Sequence, residues 1–189
     1  MISVRRDEVR SPGDGVTFVR DVVVHPGAVG IVALDEEERV LLVSQYRHPV
    51  GHRLLEIPAG LLDVPGESYP VAAARELYEE AHVRAADWRV LVDIFTSPGM
   101  ATESTRVYLA RGLSAVAAGE RHVGVHEEAD MPVTRARLAD LVPAVLAGQL
   151  HNPLVVSGVL ATWAARQGTG YDSLRPVDAA WDARAAQPG

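Results

Sequence analysis

The chain has neither cysteine nor lysine among its 189 residues. Without cysteine it can form no disulfide, no thiolate metal site and no cysteine nucleophile, which is compatible with a reducing compartment. All 18 basic residues are arginine, so a Schiff-base lysine and the lysine of a phosphate-binding P-loop are both excluded. The chemistry that remains is that of hydroxyl, carboxylate and imidazole groups and of bound metal ions.

Long apolar runs and an excess of positive charge are also missing. Apolar runs such as 28–34 are far shorter than the roughly 18 residues that a membrane span requires. The N-terminal residues 1–15 lack the apolar core of a signal peptide. The formal net charge of -7 argues against non-specific binding to nucleic acid or acidic membranes, since both require a dense cationic surface. We therefore expect a soluble, cytoplasmic protein that binds neither nucleic acid nor membrane.

Strand and helix signals alternate along the chain, which predicts one α/β or α+β domain. Runs rich in Val, Ile and Leu predict strands at 17–24, 28–34, 40–45, 89–95 and 104–110, with a further strand or arm at 2–9. Proline and capping signals predict helices at 70–81, from after Thr134 to Leu146, and from Asn152-Pro153 to Arg166. The tail from 168 to 189 has little periodicity, so we expect it to be irregular and to pack along the body or a partner.

One face of the predicted helix at 70–81 carries three carboxylates. With about 100° of rotation per residue, Glu76, Glu79 and Glu80 fall within an arc of roughly 100°. Like charges at this spacing repel each other, and a divalent cation would remove that repulsion. Hard oxygen ligands favour Mg²⁺, with Mn²⁺ as a substitute. Such an acidic run is more often a solvated helix face, but here it directly follows a glycine-bearing loop and the apolar strand 54–58.

The loop and helix resemble the signature of the Nudix hydrolase superfamily. The matching residues are Gly60, Glu67, Arg75, Glu76, Leu77, Glu79 and Glu80. The seven-residue gap before Arg75 is kept, but six residues separate Gly60 from Glu67 where the general pattern has five. His82 stands where the pattern has a glycine, at a helix end that often takes a left-handed conformation.

Four further motifs resemble the ADP-ribose pyrophosphatase branch of this superfamily, over roughly 18–165. They are QYRHP at 45–49, LEIPAGLLD at 55–63, SPGMATE at 97–103 and HEEADM at 126–131. The resemblance implies an α/β/α Nudix sandwich with a mixed sheet, in which an N-terminal strand arm (1–24) and an irregular tail (168–189) flank the Nudix domain (25–167). It also implies a homodimer in which the N-terminal strands pack on or swap with the partner.

The resemblance implies Mg²⁺-dependent hydrolysis of ADP-ribose to AMP and ribose 5-phosphate. Three alternatives stay open: another nucleotide sugar such as GDP-mannose, a dinucleotide such as NADH, and a non-catalytic domain that senses ADP-ribose. The sensing role would require an attached DNA-binding module, for which 189 residues and an acidic net charge leave little room.

The resemblance also assigns roles to particular residues. Glu76, Glu80 and the Ala59 carbonyl are expected to ligate the metal, with Glu79 as a further ligand. Arg75 is expected to orient Glu67 through a salt bridge. Glu128 is expected to activate the attacking water together with the catalytic Glu76 and Glu80, and Glu127 is its less favoured neighbour.

The residues expected to bind the substrate fall into two groups. Gly99, Met100 and Glu103 belong to a loop that resembles the substrate loop of the branch. Arg47 and Glu56 are candidates for holding a phosphate and a ribose, because a guanidinium binds phosphate in bidentate fashion and a carboxylate accepts from hydroxyls. A structural salt bridge explains these two residues almost equally well.

Overall fold

The computed structural model describes residues 2–122 and 131–187. Its strands are β1 (Ser3–Arg10), β2 (Thr17–Val24), β3 (Ala28–Ala33), β4 (Arg39–Arg47), β5 (His52–Glu56), β6 (Ala59–Leu61), β7 (Val83–Phe95), β8 (Ser104–Ala115), β9 (Val133–Arg137) and β10 (Arg175–Pro176). Its helices are α1 (Tyr69–Ala81), α2 (Leu138–Leu146), α3 (Pro153–Gln167) and α4 (Asp182–Ala185).

A mixed five-stranded sheet with the order β10-β7-β8-β3-β6 forms the centre of the body. Strand β3 lies parallel to β8 and antiparallel to β6, and all six of its residues are buried. Its alternate side chains enter two cores. Val29 and Ile31 pack with α1, whereas Val32 packs with α2 and α3. Helices therefore cover both faces of the sheet, which confirms the predicted α/β/α architecture. A strand covered on both faces must be apolar throughout, as β3 is.

Two smaller antiparallel sheets complete the fold. The first has the order β5-β4-β9. The second is the hairpin β1-β2, in which Ser3 pairs with Val24 and Arg10 with Thr17. The hairpin joins the body at the loop before β8, where the Val23 N–H donates to the Met100 carbonyl at 2.8 Å. No helix in the described part of the chain is long and apolar enough to cross a membrane.

Helix α1 forms as its sequence predicts. Pro70 occupies the first turn, where a backbone N–H would have no partner within the helix, so the lack of one costs no hydrogen bond. Ala72, Ala73 and Leu77 face the core. The helix ends at His82, whose φ of 53° is left-handed and whose N–H donates to the Tyr78 carbonyl at 3.0 Å. The left-handed conformation expected at His82 is therefore confirmed.

Two segments differ from their predicted structure. Residues 134–137 belong to β9, which pairs with β4, so the helix predicted after Thr134 begins only at Leu138. The tail predicted to be irregular contains β10, which pairs with β7, and α4, which follows the buried Trp181. Both differences arise from pairing with residues distant in the chain, which local periodicity does not register.

Candidate active site

The acidic face of α1 meets the backbone of β6. The Ala59 N–H donates to Glu80 Oε2 at 3.0 Å. The carboxylate of Glu76 lies directly against Gly60, because a Cβ built on Gly60 would lie only 1.9 Å from Glu76 Oε1. Glycine is thus required at position 60 for this close approach. Two of the predicted metal ligands therefore contact β6, Glu80 at the Ala59 N–H and Glu76 at Gly60, and the third, the Ala59 carbonyl, belongs to the same strand.

Arg75 links the remaining carboxylates of the signature. Its Nε and Nη2 donate to the two oxygens of Glu67, both at 3.0 Å, so the predicted pair is present. Its Nη1 donates to Glu76 Oε1 at 2.7 Å and to Glu79 Oε2 at 3.1 Å. The hydrogen bond with Glu67, followed by its interactions with Glu76 and Glu79, raises the pKa of Arg75, and the same bond lowers the pKa of Glu67.

The ligand atoms that this cluster offers are of the type that a hard divalent cation prefers. The side chains offer carboxylate oxygens, and the chain contains no cysteine. Within residues 2–122 and 131–187, no three His, Cys, Asp or Glu side chains are grouped so that they could hold an ion. The bond from Arg75 to Glu76 Oε1 is the contact with which a cation would compete for this oxygen.

A cleft of about 540 Å³ opens on β6. Its lining includes His25, Arg47, Ala59, Gly60, Thr96 and Glu103. A volume of this size is typical of small-molecule sites, which range from roughly 300 to 1,000 Å³. Since Ala59 and Gly60 face the cleft and also contact Glu80 and Glu76, the cleft and the acidic helix share one strand.

Arg47 and Glu56 bind each other in the structure. Arg47 Nε and Nη2 donate to the two carboxylate oxygens of Glu56 at 2.9 and 2.7 Å. The side chain of Glu56 is only 2% exposed, whereas that of Arg47 is 39% exposed and lines the cleft. The geometry therefore matches the salt-bridge alternative for Glu56 and leaves Arg47 at the cleft wall.

The predicted substrate loop is divided between two pockets. Glu103 lines the cleft, where it accepts from Thr96 Oγ1 and lies 3.8 Å from His25 Nε2. Gly99 and Met100 line a separate pocket of about 440 Å³ between this loop and the β1-β2 hairpin. Glu127 and Glu128 lie outside the described residues.

His25 and Thr96 are cleft residues that sequence reasoning did not select. His25 lies in a short His-Pro-Gly segment between β2 and β3, and Thr96 follows β7. Neither position has a neighbour in sequence at a spacing typical of metal or catalytic sites. Their proximity to Glu103 depends on the pairing of β3 and β7 with β8.

Comparison with known proteins agrees with this geometry. A NUDIX domain is matched over residues 24–146. The chain is 48% identical over 96% of its length to an ADP-ribose pyrophosphatase of Mycobacterium tuberculosis, of which it covers 84%. It is 33% identical over 84% of its length to a methanol dehydrogenase activator of Bacillus methanolicus, of which it covers 83%.

A solved structure titled as an ADP compounds hydrolase shares the fold. Its TM-score is 0.65 at 23% identity, with 88% of this chain and 96% of that chain covered. The matched domain includes β6, α1 and the loop 97–103, which carry the acidic cluster and much of the cleft. The resemblance seen in the sequence is confirmed: the chain belongs to the NUDIX family.

Proposed function

We propose that the chain hydrolyses the pyrophosphate bond of ADP-ribose to AMP and ribose 5-phosphate in the presence of Mg²⁺ or Mn²⁺. The observation that carries this proposal is the meeting of Glu76 and Glu80 with the backbone of Ala59 and Gly60 at the wall of a cleft of about 540 Å³. The choice of ADP-ribose is supported by the 48% identity to a relative that is named as an ADP-ribose pyrophosphatase.

Glu76, Glu80 and the Ala59 carbonyl would hold the cation, with Glu79 as a further ligand. When bound, a divalent cation neutralises charge on the phosphates and acidifies an attacking water. Arg75 holds the carboxylates of Glu76 and Glu79 by hydrogen bonds at 2.7 and 3.1 Å, and Glu67 in turn fixes Arg75. The arrangement of the acidic face therefore depends on this guanidinium and its bidentate partner.

The substrate would lie along β6 with its phosphates towards the acidic helix. Arg47 lines the cleft with a side chain that is 39% exposed and would contact a phosphate. Glu103 lines the cleft and would accept from ribose hydroxyls, while Gly99 and Met100 would contact a more distant part of the ligand. Glu128 is proposed to position or deprotonate the attacking water.

The proposed assembly is a homodimer in which the N-terminal arm contacts the partner. Exposed apolar side chains on or beside the β1-β2 hairpin support this proposal, since isolated two-stranded sheets are only marginally stable in water. They are Ile2, Val4, Val16 and Val19, with exposures of 59%, 71%, 56% and 54%. An apolar surface of this kind is typical of an interface.

A substrate panel tests the proposed reaction. The purified chain is incubated with ADP-ribose, GDP-mannose or NADH, with Mg²⁺ and with excess chelator, and the products are separated by anion-exchange chromatography. We expect metal-dependent release of AMP and ribose 5-phosphate, with the highest kcat/KM for ADP-ribose. Faster hydrolysis of GDP-mannose or NADH would overturn the choice of substrate, and absence of cleavage in every reaction would overturn the proposed activity.

A further inference from the structure

We propose that Arg184 is a positioning residue for the active site, acting through the C-terminal strap, which we define as residues 175–187. This inference rests on the proposed function. The strap is far from the acidic helix in sequence. Arg184 nevertheless binds Pro26, just before β3, and Ser104, the first residue of β8, and both segments lead to the cleft.

The strap is anchored to the body independently of Arg184. Strand β10 pairs with β7, and Arg106 donates to the carbonyls of Ala179 and Ala180 at 2.6 and 3.1 Å. The ring of Trp181 meets Tyr69, the first residue of α1, edge-on at 5.6 Å between centroids. These contacts keep the strap in place, so the side chain of Arg184 is presented to the body from a fixed backbone.

Arg184 joins the start of β3 to the start of β8. Its Nη1 donates to Ser104 Oγ at 2.7 Å, and its Nη2 donates to the Pro26 carbonyl. The guanidinium also covers Gly27, where a Cβ would lie only 1.9 Å from Nη1. Gly27 has a φ of 90°, a left-handed value that side chains rarely adopt. The backbone conformation restricts position 27 to glycine, and a side chain there would displace the Arg184 guanidinium.

The segments that Arg184 holds lead directly to the acidic cluster and to the cleft. The Gly27 carbonyl accepts from the Leu62 N–H at 3.0 Å, immediately after β6, whose Ala59 and Gly60 touch Glu80 and Glu76. On the other side, Ser104 follows Glu103, which lines the cleft. The β3–β8 and β3–β6 ladders bring these segments together, and Arg184 adds a side-chain link at the point where both segments enter the sheet.

The aromatic rings beside Arg184 favour a fixed position for its charge. Its Cζ lies 5.6 Å from the Tyr69 ring centroid and 5.5 Å from that of Trp181. Arginine suits this position because a planar guanidinium can donate to two acceptors while it lies over aromatic rings. Lysine would retain the charge but could not make both hydrogen bonds with the same fixed geometry.

The matched variants Arg184→Ala and Arg175→Ala test the proposal. Arg175 lies on the same strap but binds Asp93 at 2.8 Å, away from the cleft. We expect Arg184→Ala to lower kcat about tenfold with KM changed less than about twofold, because small misplacements of catalytic groups reduce turnover more than ground-state binding. Arg184→Lys should recover part of this loss, and Arg175→Ala should retain the wild-type kcat.

Hydrogen exchange supplies a readout that needs neither substrate nor metal. Peptides that contain Leu62 should exchange faster in Arg184→Ala than in the wild type, because the acceptor at Gly27 loses its support. The same peptides should be unchanged in Arg175→Ala. If Arg184→Ala does not fold, Ser104→Ala removes a single acceptor of the guanidinium and should produce the same two changes at smaller amplitude.

The outcomes separate this inference from the proposed reaction. Wild-type kcat together with unchanged exchange at Leu62 in a folded Arg184→Ala variant would overturn the positioning role. An equal loss in Arg175→Ala would assign the effect to the strap as a whole and would also overturn it. If the wild type cleaves no diphosphate substrate, the proposed function fails, whereas the exchange experiment still decides whether Arg184 holds the metal-site backbone.

Discussion

The clusters around Arg75 and Arg106 differ in their balance of charge, and this difference distinguishes a candidate metal site from a structural ion pair. Arg75 faces three carboxylates, Glu67, Glu76 and Glu79, so one positive charge meets three negative ones. Arg106 and Arg175 share the single carboxylate of Asp93, and Arg106 donates further to two backbone carbonyls.

The two arginine side chains also differ in their exposure to solvent. The side chain of Arg75 is 29% exposed, whereas that of Arg106 is 1% exposed. The Arg75 cluster keeps an excess of negative charge close to water, where a cation can reach it. The Arg106 cluster satisfies its donors internally, as buried charge requires. We therefore expect changes at the first cluster to alter activity and changes at the second to alter stability.

Glu80→Gln should have the largest effect on activity. It removes a proposed metal ligand, and we expect kcat to fall by about a thousandfold or more, since metal stabilisation of the transition state contributes several kcal/mol. Glutamine keeps an oxygen that can accept from Ala59 N–H, so the urea midpoint should change little. Steady-state kinetics and urea unfolding check both statements, and wild-type turnover would remove Glu80 from the metal site.

Arg106→Ala should have the largest effect on stability. It removes the buried partner of Asp93, which keeps the exposed Arg175, and it removes donors from Ala179 and Ala180. We therefore expect a loss of about 3–5 kcal/mol in the free energy of unfolding. The matched control is Arg166→Ala, which breaks the exposed pair with Glu38 and should change stability little. Similar urea midpoints for the two variants would contradict the structural role of Arg106.

Gly60→Ala should reduce activity while the fold persists. The new Cβ would displace the Glu76 carboxylate, which is the flexible end of a side chain and can move. We expect kcat to fall by about tenfold to a hundredfold, because a displaced ligand misplaces the reacting groups. Gly119→Ala is the matched control, since a Cβ there meets no atom within 4 Å. Equal kcat in both variants would show that the Gly60–Glu76 contact has no catalytic importance.

The smallest expected effect is the pH-dependent part of the stability that Asp93 contributes, which Asp93→Asn removes. Burial raises the pKa of Asp93, but hydrogen bonds from Arg106 and Arg175 outweigh it and the pKa is lowered. The stabilisation from this carboxylate is therefore complete above the unfolded pKa of about 3.9 and is lost as the pH falls through the lower folded value.

Urea midpoints between pH 6 and pH 3 test this sign. The wild type should lose more stability over the acidic part of this interval than Asp93→Asn does, because the variant has no carboxylate to protonate at this position. Asp140→Asn, at an exposed position on α2, serves as the control and should follow the wild-type profile. Parallel profiles for the wild type and Asp93→Asn would show that the ion pair adds no pH-dependent stability.

Local sequence spacing determined the elements that carry the proposed chemistry. The resemblance to the Nudix signature implied the pairing of Arg75 with Glu67 and a helix end at His82 of the kind that is often left-handed, and the spacing itself predicted a helix close to the observed α1. It also predicted that Asn152 caps α3, and its side chain accepts from two backbone N–H groups there. These features depend on residues within a few turns of each other, so their side-chain pattern is sufficient to specify them.

Only the tertiary structure decided which distant segments meet. The pairing of β9 with β4, the strap contacts of Arg184 and the proximity of His25 to Glu103 all join residues that are far apart in the chain. The sequence likewise left open whether Arg47 and Glu56 bind a ligand or each other, and the fold brings their side chains together across neighbouring strands. The spacing of side chains on a helix depends on neighbouring residues, whereas strand partners depend on long-range packing. The acidic helix and individual cleft residues such as Arg47 and Glu103 were therefore predictable, but the way in which β6 joins the helix to the cleft was not.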